Sequence, residues 1–177
     1  MPAPAPTAAV DIVDERNEPI GTAQRGEVLP QGLNFRTVHV IASDQRDEVL
    51  LQRLSASRDR HACMWGSSVA GYLHAGETYE AAADRRLQEE LGVRATLTFV
   101  GVTPMTDEHS TKFIGVFLAS IPREKPSIQD PEHVGSLRWL PLGRLLKLIK
   151  SEPESFTPTL IHVISFVASA GVGPAGR

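Results

Sequence analysis

The chain of 177 residues has a single cysteine, Cys63. No intrachain disulfide can form, so the fold relies on its own core, and a reducing compartment such as the cytoplasm is expected. Long apolar runs are also missing. None approaches the ~20 residues a membrane-spanning helix needs, and the opening MPAPAPTAAV lacks the basic start and apolar centre of a secretory signal. Charge of either sign is not in large excess: Lys+Arg 18 against Asp+Glu 21 gives −3, with a pI near 6.1. That balance supplies no bulk field for nucleic acid or a membrane surface, and neither is expected as a partner. Aromatics are sparse at 6%, and no internal repeat or linker composition interrupts the chain.

What remains is the composition of an ordinary globular protein, 41% hydrophobic and 22% charged. A chain of this length can bury about 70% of its unfolded surface in one core. Residues 1–9 read as a disordered Pro/Ala tail, 10–170 as one domain, and 171–177 as a loose end. Residues 10–14 alternate like a short strand, and Asn17-Glu18-Pro19 reads as a turn. Residues 20–29 fit either a second strand with Arg25 pointing outward or an extended arm. The β-branched run 36–42, the polar turn 44–47 and the strand 49–54 read as a hairpin. Further strands are expected at 65–70, 96–103, 113–121 and 136–140, and helices from Pro141 and Pro158. Strands, helix, strands, then helices describe a mixed α/β layer fold, not regular βαβ units.

The organising stretch is 71–93, GYLHAGETYEAAADRRLQEELGV. Thr78 is placed to cap a helix, Ala83, Leu87 and Leu91 recur every four residues as its core stripe, and Gly92 stands where a left-handed residue ends it. Glu89 and Glu90 are adjacent, each with an arginine one turn earlier, Arg85 and Arg86. On an arbitrary helix such acids are a solvated face with two ion pairs contributing about 0.3–0.5 kcal/mol each. Neighbouring carboxylates repel unless a cation lies between them, and hard oxygens suit Mg²⁺ or Mn²⁺.

The full spacing decides between these readings. Gly71, five residues, Glu77, seven residues, Arg85-Arg86-Leu87, one residue, Glu89-Glu90, one residue, Gly92-Val93 closely resembles the Nudix box, G-x5-E-x7-R-E-U-x-E-E-x-G-U with U aliphatic. Arg86 departs from it, standing where the family has glutamate. The resemblance implies a Nudix α/β/α sandwich, with a mixed sheet between helices. It also implies Mg²⁺ or Mn²⁺ held by Glu89 and Glu90 with the backbone carbonyl of Ala70 or Gly71. Glu77 would orient the helix through Arg85 or hold a metal-bound water. Because Arg86 replaces a candidate base, that role passes to Glu108, with Asp107, His109 and Glu132 as alternatives. Arg58, Arg86 and Lys112 are candidate phosphate ligands, beside Arg53 and Arg60, and Phe35, Trp65, Tyr72 and Phe113 are candidates to stack on a base.

The flanks resemble the branch that includes type 1 isopentenyl-diphosphate isomerases, which also depart from the box at the second arginine. Those enzymes carry a catalytic cysteine and a metal-binding histidine in N-S-V-C-G-H-P. Here the stretch from Ser67 reads SSVAGYL, with Ala70 and Tyr72 at those positions, and Lys112 falls where their catalytic glutamate stands. Cys63 lies seven residues too early to substitute and reads as a packed thiol near Trp65. The expected activity is therefore metal-dependent hydrolysis of a diphosphate linkage, first in nucleoside di- or triphosphates. Isomerisation and nucleotide binding without turnover are the alternatives. A homodimer is compatible with the chain.

Overall fold

The computed structural model describes residues 8–171; the terminal stretches read above as tails otherwise lie outside it. Strand β1 (Ala9–Val13) pairs antiparallel with β2 (Pro19–Gln24), so the ordered domain already includes Ala9. A short 3₁₀ turn, Arg25–Glu27, follows. Then come β3 (Phe35–Ser43), β4 (Glu48–Leu54), β5 (Trp65–Gly66), β6 (Val69–Tyr72) and helix α1 (Tyr79–Leu91). The chain closes with β7 (Leu97–Asp107), β8 (Ser110–Ser120), β9 (Val134–Pro141), α2 (Leu142–Ser151) and α3 (Pro158–Ser169). All strands join one mixed sheet, in which β3 runs parallel to β8 over nine paired positions and antiparallel to β6.

Alternation along the central strands divides the core. Val38, Val40, Ala42 and Leu50 face α1, where Ala83, Leu87 and Leu91 are fully buried. Ile41, Val49, Leu51, Ile114 and Val116 face the other way, onto Leu145 of α2 and Leu160 and Val163 of α3. Helices thus cover both faces of the sheet.

The expected hairpin of β3 and β4 is a fork instead. The two strands share one paired position, Ser43 with Val49, and then part. Ser68 explains the parting: its hydroxyl accepts from the Ala42 N–H at 2.8 Å and donates to the Leu50 carbonyl at 2.6 Å, so one side chain spans backbone groups on both strands. Both strands then find other partners, β3 with β6 and β8, β4 with β5 and β9. The stretch expected as one strand over 65–70 is accordingly two, separated by Ser67 and Ser68. Cys63 is also corrected: its thiol is exposed, on a loop residue with φ of 65°.

Candidate active site at the fork of the sheet

Helix α1 starts and stops as its caps dictate. The Thr78 hydroxyl accepts from the Ala81 N–H at 3.2 Å, and Gly92 ends the helix with φ of 65°. Between them, the acids and arginines of the last turns face inward. The Arg86–Glu90 pair is therefore buried and the Arg85 pairs half-buried, unlike the solvated pairs of an isolated helix.

Arg85 is a strut between helix and loop. Its guanidinium grips both Glu77 oxygens, Nε to Oε1 at 2.7 Å and Nη2 to Oε2 at 2.9 Å, and donates to the Tyr72 carbonyl at 3.1 Å. Glu77 also accepts from the His74 N–H at 2.8 Å. Burial pushes the Glu77 carboxyl up, but Arg85 and that N–H outweigh it and hold it below the usual range. Glu77 is thus committed to Arg85, the orienting half of what was expected of it.

Arg86 is a different object. Only 5% of its side chain is exposed. Nη2 donates to the Ala70 carbonyl at 3.1 Å and pairs with Glu90 Oε1, while Nη1 donates to Glu89 Oε2 at 3.1 Å. The other Glu90 oxygen accepts from Gln52 at 3.2 Å and from the Ala70 N–H at 3.3 Å. Burial pushes the Glu90 carboxyl up, and Arg86, Ala70 and Gln52 offset only part of that. The three oxygen sources expected to hold metal do converge, and a guanidinium stands among them. Among the described residues no group of three or more His, Cys, Asp or Glu side chains assembles as a metal site, here or elsewhere, so an ion held here would need the carbonyl beside the two carboxylates. Two carboxylates and one carbonyl are the oxygen donors a hard divalent ion takes, and here the cation among them is the Arg86 guanidinium.

Beside this cluster lies a cavity of about 170 Å³ lined by Ala70, Gly71 and Arg86 on one side and by Arg25, Arg58, Arg60 and Lys112 on the others. Arg58 and Lys112 were expected as phosphate ligands, and the fold brings both here. Burial lowers the Lys112 ammonium pKa, with Asp107 opposing, and its Nζ lies 2.6 Å from Thr159 Oγ1. Asp107 lines the cavity and pairs with Arg60 at 2.9 Å. Glu108 is 63% exposed, 3.4 Å from Arg60, and outside the lining; Glu132 lines only the outer mouth. Of the aromatics, Phe35 and Tyr72 line the cavity but stack on each other with centroids 4.8 Å apart, and Arg25 covers the Tyr72 ring.

Several lining residues escaped sequence reasoning. Arg25 points in from the turn after β2, not outward. Thr37, His39 and Ser110 form a polar floor, and the Thr37 and Ser110 hydroxyls are buried with no hydrogen-bond partner among the described residues. His39 bonds Ser67 at 2.8 Å, and burial, helped by Lys112 and His162, pushes its pKa down to about 3. A histidine interrupting a β-branched run was the one available signal.

A model of the NUDIX domain matches residues 33–160. The chain belongs to the Nudix family. An isopentenyl-diphosphate Delta-isomerase of Nocardia farcinica is 31% identical over 175 residues, covering 95% of this Nudix chain and 99% of the relative. An uncharacterized Nudix hydrolase of Yersinia pestis is 28% identical, covering 88% and 83%. Among solved structures, a Deinococcus radiodurans protein superposes with TM-score 0.75 at 24% identity, covering 89% and 97%. The Nudix domain of Shewanella oneidensis NrtR, solved with ADP-ribose, gives 0.62 at 18%, covering 83% and 98%. These structures bear out the mixed-sheet sandwich. No helix among the described residues is long and apolar enough to cross a membrane.

Proposed function

We propose that this chain hydrolyses a diphosphate linkage in nucleoside di- or triphosphates with the help of Mg²⁺ or Mn²⁺. The observation that carries the reading is the cavity wall: Arg25, Arg58, Arg60, Lys112 and Arg86 face one small space, and Glu89 and Glu90, though outside its lining, pair with Arg86 at its edge. Such a wall suits the charge of a phosphate chain and holds it against the acids of the Nudix helix. Glu89, Glu90 and the Ala70 carbonyl would hold the divalent ion, which when bound neutralises charge developing on the phosphoryl oxygens. Arg85, through Glu77, fixes the helix that presents these oxygens. Asp107, the acid lining the inner cavity, is assigned to take the proton of the attacking water as the bridging P–O bond breaks, in place of the exposed Glu108.

The polar floor supports a nucleoside over a prenyl chain. Buried hydroxyls without partners are costly beside a hydrocarbon and favourable beside sugar or base polar groups. Isomerisation is the second reading, favoured by the names of the relatives. It needs an acid and a base on opposite faces of an alkene. Ala70 supplies no proton, Lys112 replaces the expected glutamate, and Cys63 is exposed outside the cavity lining.

The test is phosphate and pyrophosphate release from a panel of nucleoside di- and triphosphates with Mg²⁺ or Mn²⁺, with isopentenyl diphosphate included. Metal-dependent release is expected, and Glu90→Gln should lower kcat about 100-fold or more while circular dichroism stays unchanged. Full turnover by the variant would remove Glu90 from the mechanism. Conversion of isopentenyl to dimethylallyl diphosphate, with nucleotides untouched, would select the isomerase.

A further inference from the structure

The cation that Glu89, Glu90 and the Ala70 carbonyl share in this structure belongs to the chain itself. We propose that Arg86 and a divalent ion compete for that one position. The ligand-free chain keeps its own guanidinium there and takes up metal only when an anion draws Arg86 into the cavity. The inference rests on the reading above that these oxygens form the metal position.

Four observations carry it. First, the two Nη atoms of Arg86 contact all three oxygen sources, so the guanidinium occupies the oxygens that would hold an ion. Second, its position is imperfect: Arg86 Nε is buried without a partner among the described residues, which lowers the penalty for leaving. Third, Arg86 depends on a glycine neighbour: Gly71 carries no side chain where Arg86 lies, and an added Cβ would fall 2.8 Å from Arg86 Cδ and 2.9 Å from Cζ. Fourth, Arg86 already lines the cavity alongside Arg25, Arg58, Arg60 and Lys112, so an anion placed there attracts the guanidinium.

Charge bookkeeping gives the coupling its direction. Glu77, Glu89 and Glu90 against Arg85 and Arg86 leave one negative charge in the buried network. Adding a divalent ion while Arg86 stays would turn that to one positive charge beside a wall of cations. Adding it together with a diphosphate, with Arg86 turned to the phosphate, keeps the region neutral or negative. Metal and anion therefore enter together, and each raises the affinity for the other.

Mn²⁺ binding, read from the electron paramagnetic resonance of free Mn²⁺, tests this on the full chain without turnover. Methylenediphosphonate serves as the non-hydrolysable anion, and Arg86→Gln removes the competing charge. Without anion, Arg86→Gln should bind Mn²⁺ at least tenfold more tightly than the wild type. Equal affinity, or tighter binding by the wild type, overturns the proposal. The wild type alone supplies a second reading should the variant not fold. Its thermal midpoint should stay within a degree when Mn²⁺ is added at a concentration that raises it several degrees in the presence of methylenediphosphonate. A comparable rise with Mn²⁺ alone overturns the proposal. The outcome is separable from that of the hydrolase reading. Metal gain in Arg86→Gln without turnover of any substrate would sink hydrolysis only, and turnover without metal gain would sink the competition only.

Discussion

Two charged regions meet at the fork of the sheet, and they are built on opposite rules. On α1 and the loop before it, three carboxylates and two guanidiniums pair with one another, with side chains at most 20% exposed. Across the cavity, Arg25, Arg58, Arg60 and Lys112 face Asp107 as the only carboxylate in the inner lining. A mutually paired network within one charge of balance, largely out of water, holds its geometry without help. A wall with more cations than carboxylates in its lining suits an incoming anion. The contrast separates what presents the chemistry from what recruits the ligand, although all of it is written in the same residue types.

Breaking the balanced side should produce the largest effect. Arg86→Ala leaves Glu90, 3% exposed, with its charge uncompensated, and should lower stability by about 3–5 kcal/mol in metal-free urea denaturation. Arg85→Ala removes a partly exposed strut from Glu77 and Glu89 and should lower it by about 1–3 kcal/mol. Equal losses would mean that the buried pair is no more integral to the fold than the strut, and the contrast drawn within α1 would fail.

The cationic side can be probed through His39, on the cavity floor. Its folded pKa, about 3, lies below the usual 6.5, because burial and then the nearby Lys112 and His162 disfavour another positive charge. The unfolded chain therefore binds the proton first. The stabilisation is present above pH 6.5 and is lost as pH falls towards 3, at a limiting slope of about 1.4 kcal/mol per pH unit. Between pH 6.5 and 5 the wild type should lose about 1.5 kcal/mol more than His39→Gln, measured by urea denaturation at each pH. Parallel pH profiles would show that His39 takes up a proton inside the fold and that the floor tolerates added charge.

The sequence exposed the balanced region far better than the unbalanced one, for a physical reason. A helix with its caps is local: Thr78, the Ala83–Leu87–Leu91 stripe and Gly92 lie within fifteen positions, and the structure keeps each in the role expected. The box also located Glu77, Arg85, Glu89 and Glu90, and marked Arg86 as the departure. The wall is assembled from four separate segments, and no period links Arg25, Arg58, Arg60, Arg86 and Lys112. Only the parallel pairing of β3 with β8, across about 75 residues of chain, brings Lys112 to the cavity. The same non-locality misled the hairpin reading. A polar turn between two apolar strands is a sound local signal, but it cannot report that Ser68 will span both strands and that each will prefer a distant partner.

The smallest effect in this series tests recruitment itself. Arg58 forms no salt bridge among the described residues, and burial lowers its pKa with Glu90 only partly opposing. Arg60 is held by Asp107 at 2.9 Å and Glu108 at 3.4 Å. Removing Arg58 therefore deletes a cation whose charge is not already spent, whereas removing Arg60 also releases Asp107, whose negative charge then opposes the ligand. In calorimetric titration with methylenediphosphonate, Arg58→Ala should weaken binding about tenfold, roughly 1.4 kcal/mol. The wild type should lose affinity as salt rises, and Arg58→Ala should lose less. Because Arg60→Ala removes one charge and unpairs the opposite one, removing both with Arg60→Ala/Asp107→Asn should recover affinity relative to Arg60→Ala alone. Binding unchanged in Arg58→Ala, at low and high salt alike, would show that the wall does not recruit phosphate. The acids of α1 would then have to select the ligand, contrary to the division of labour drawn between the two regions.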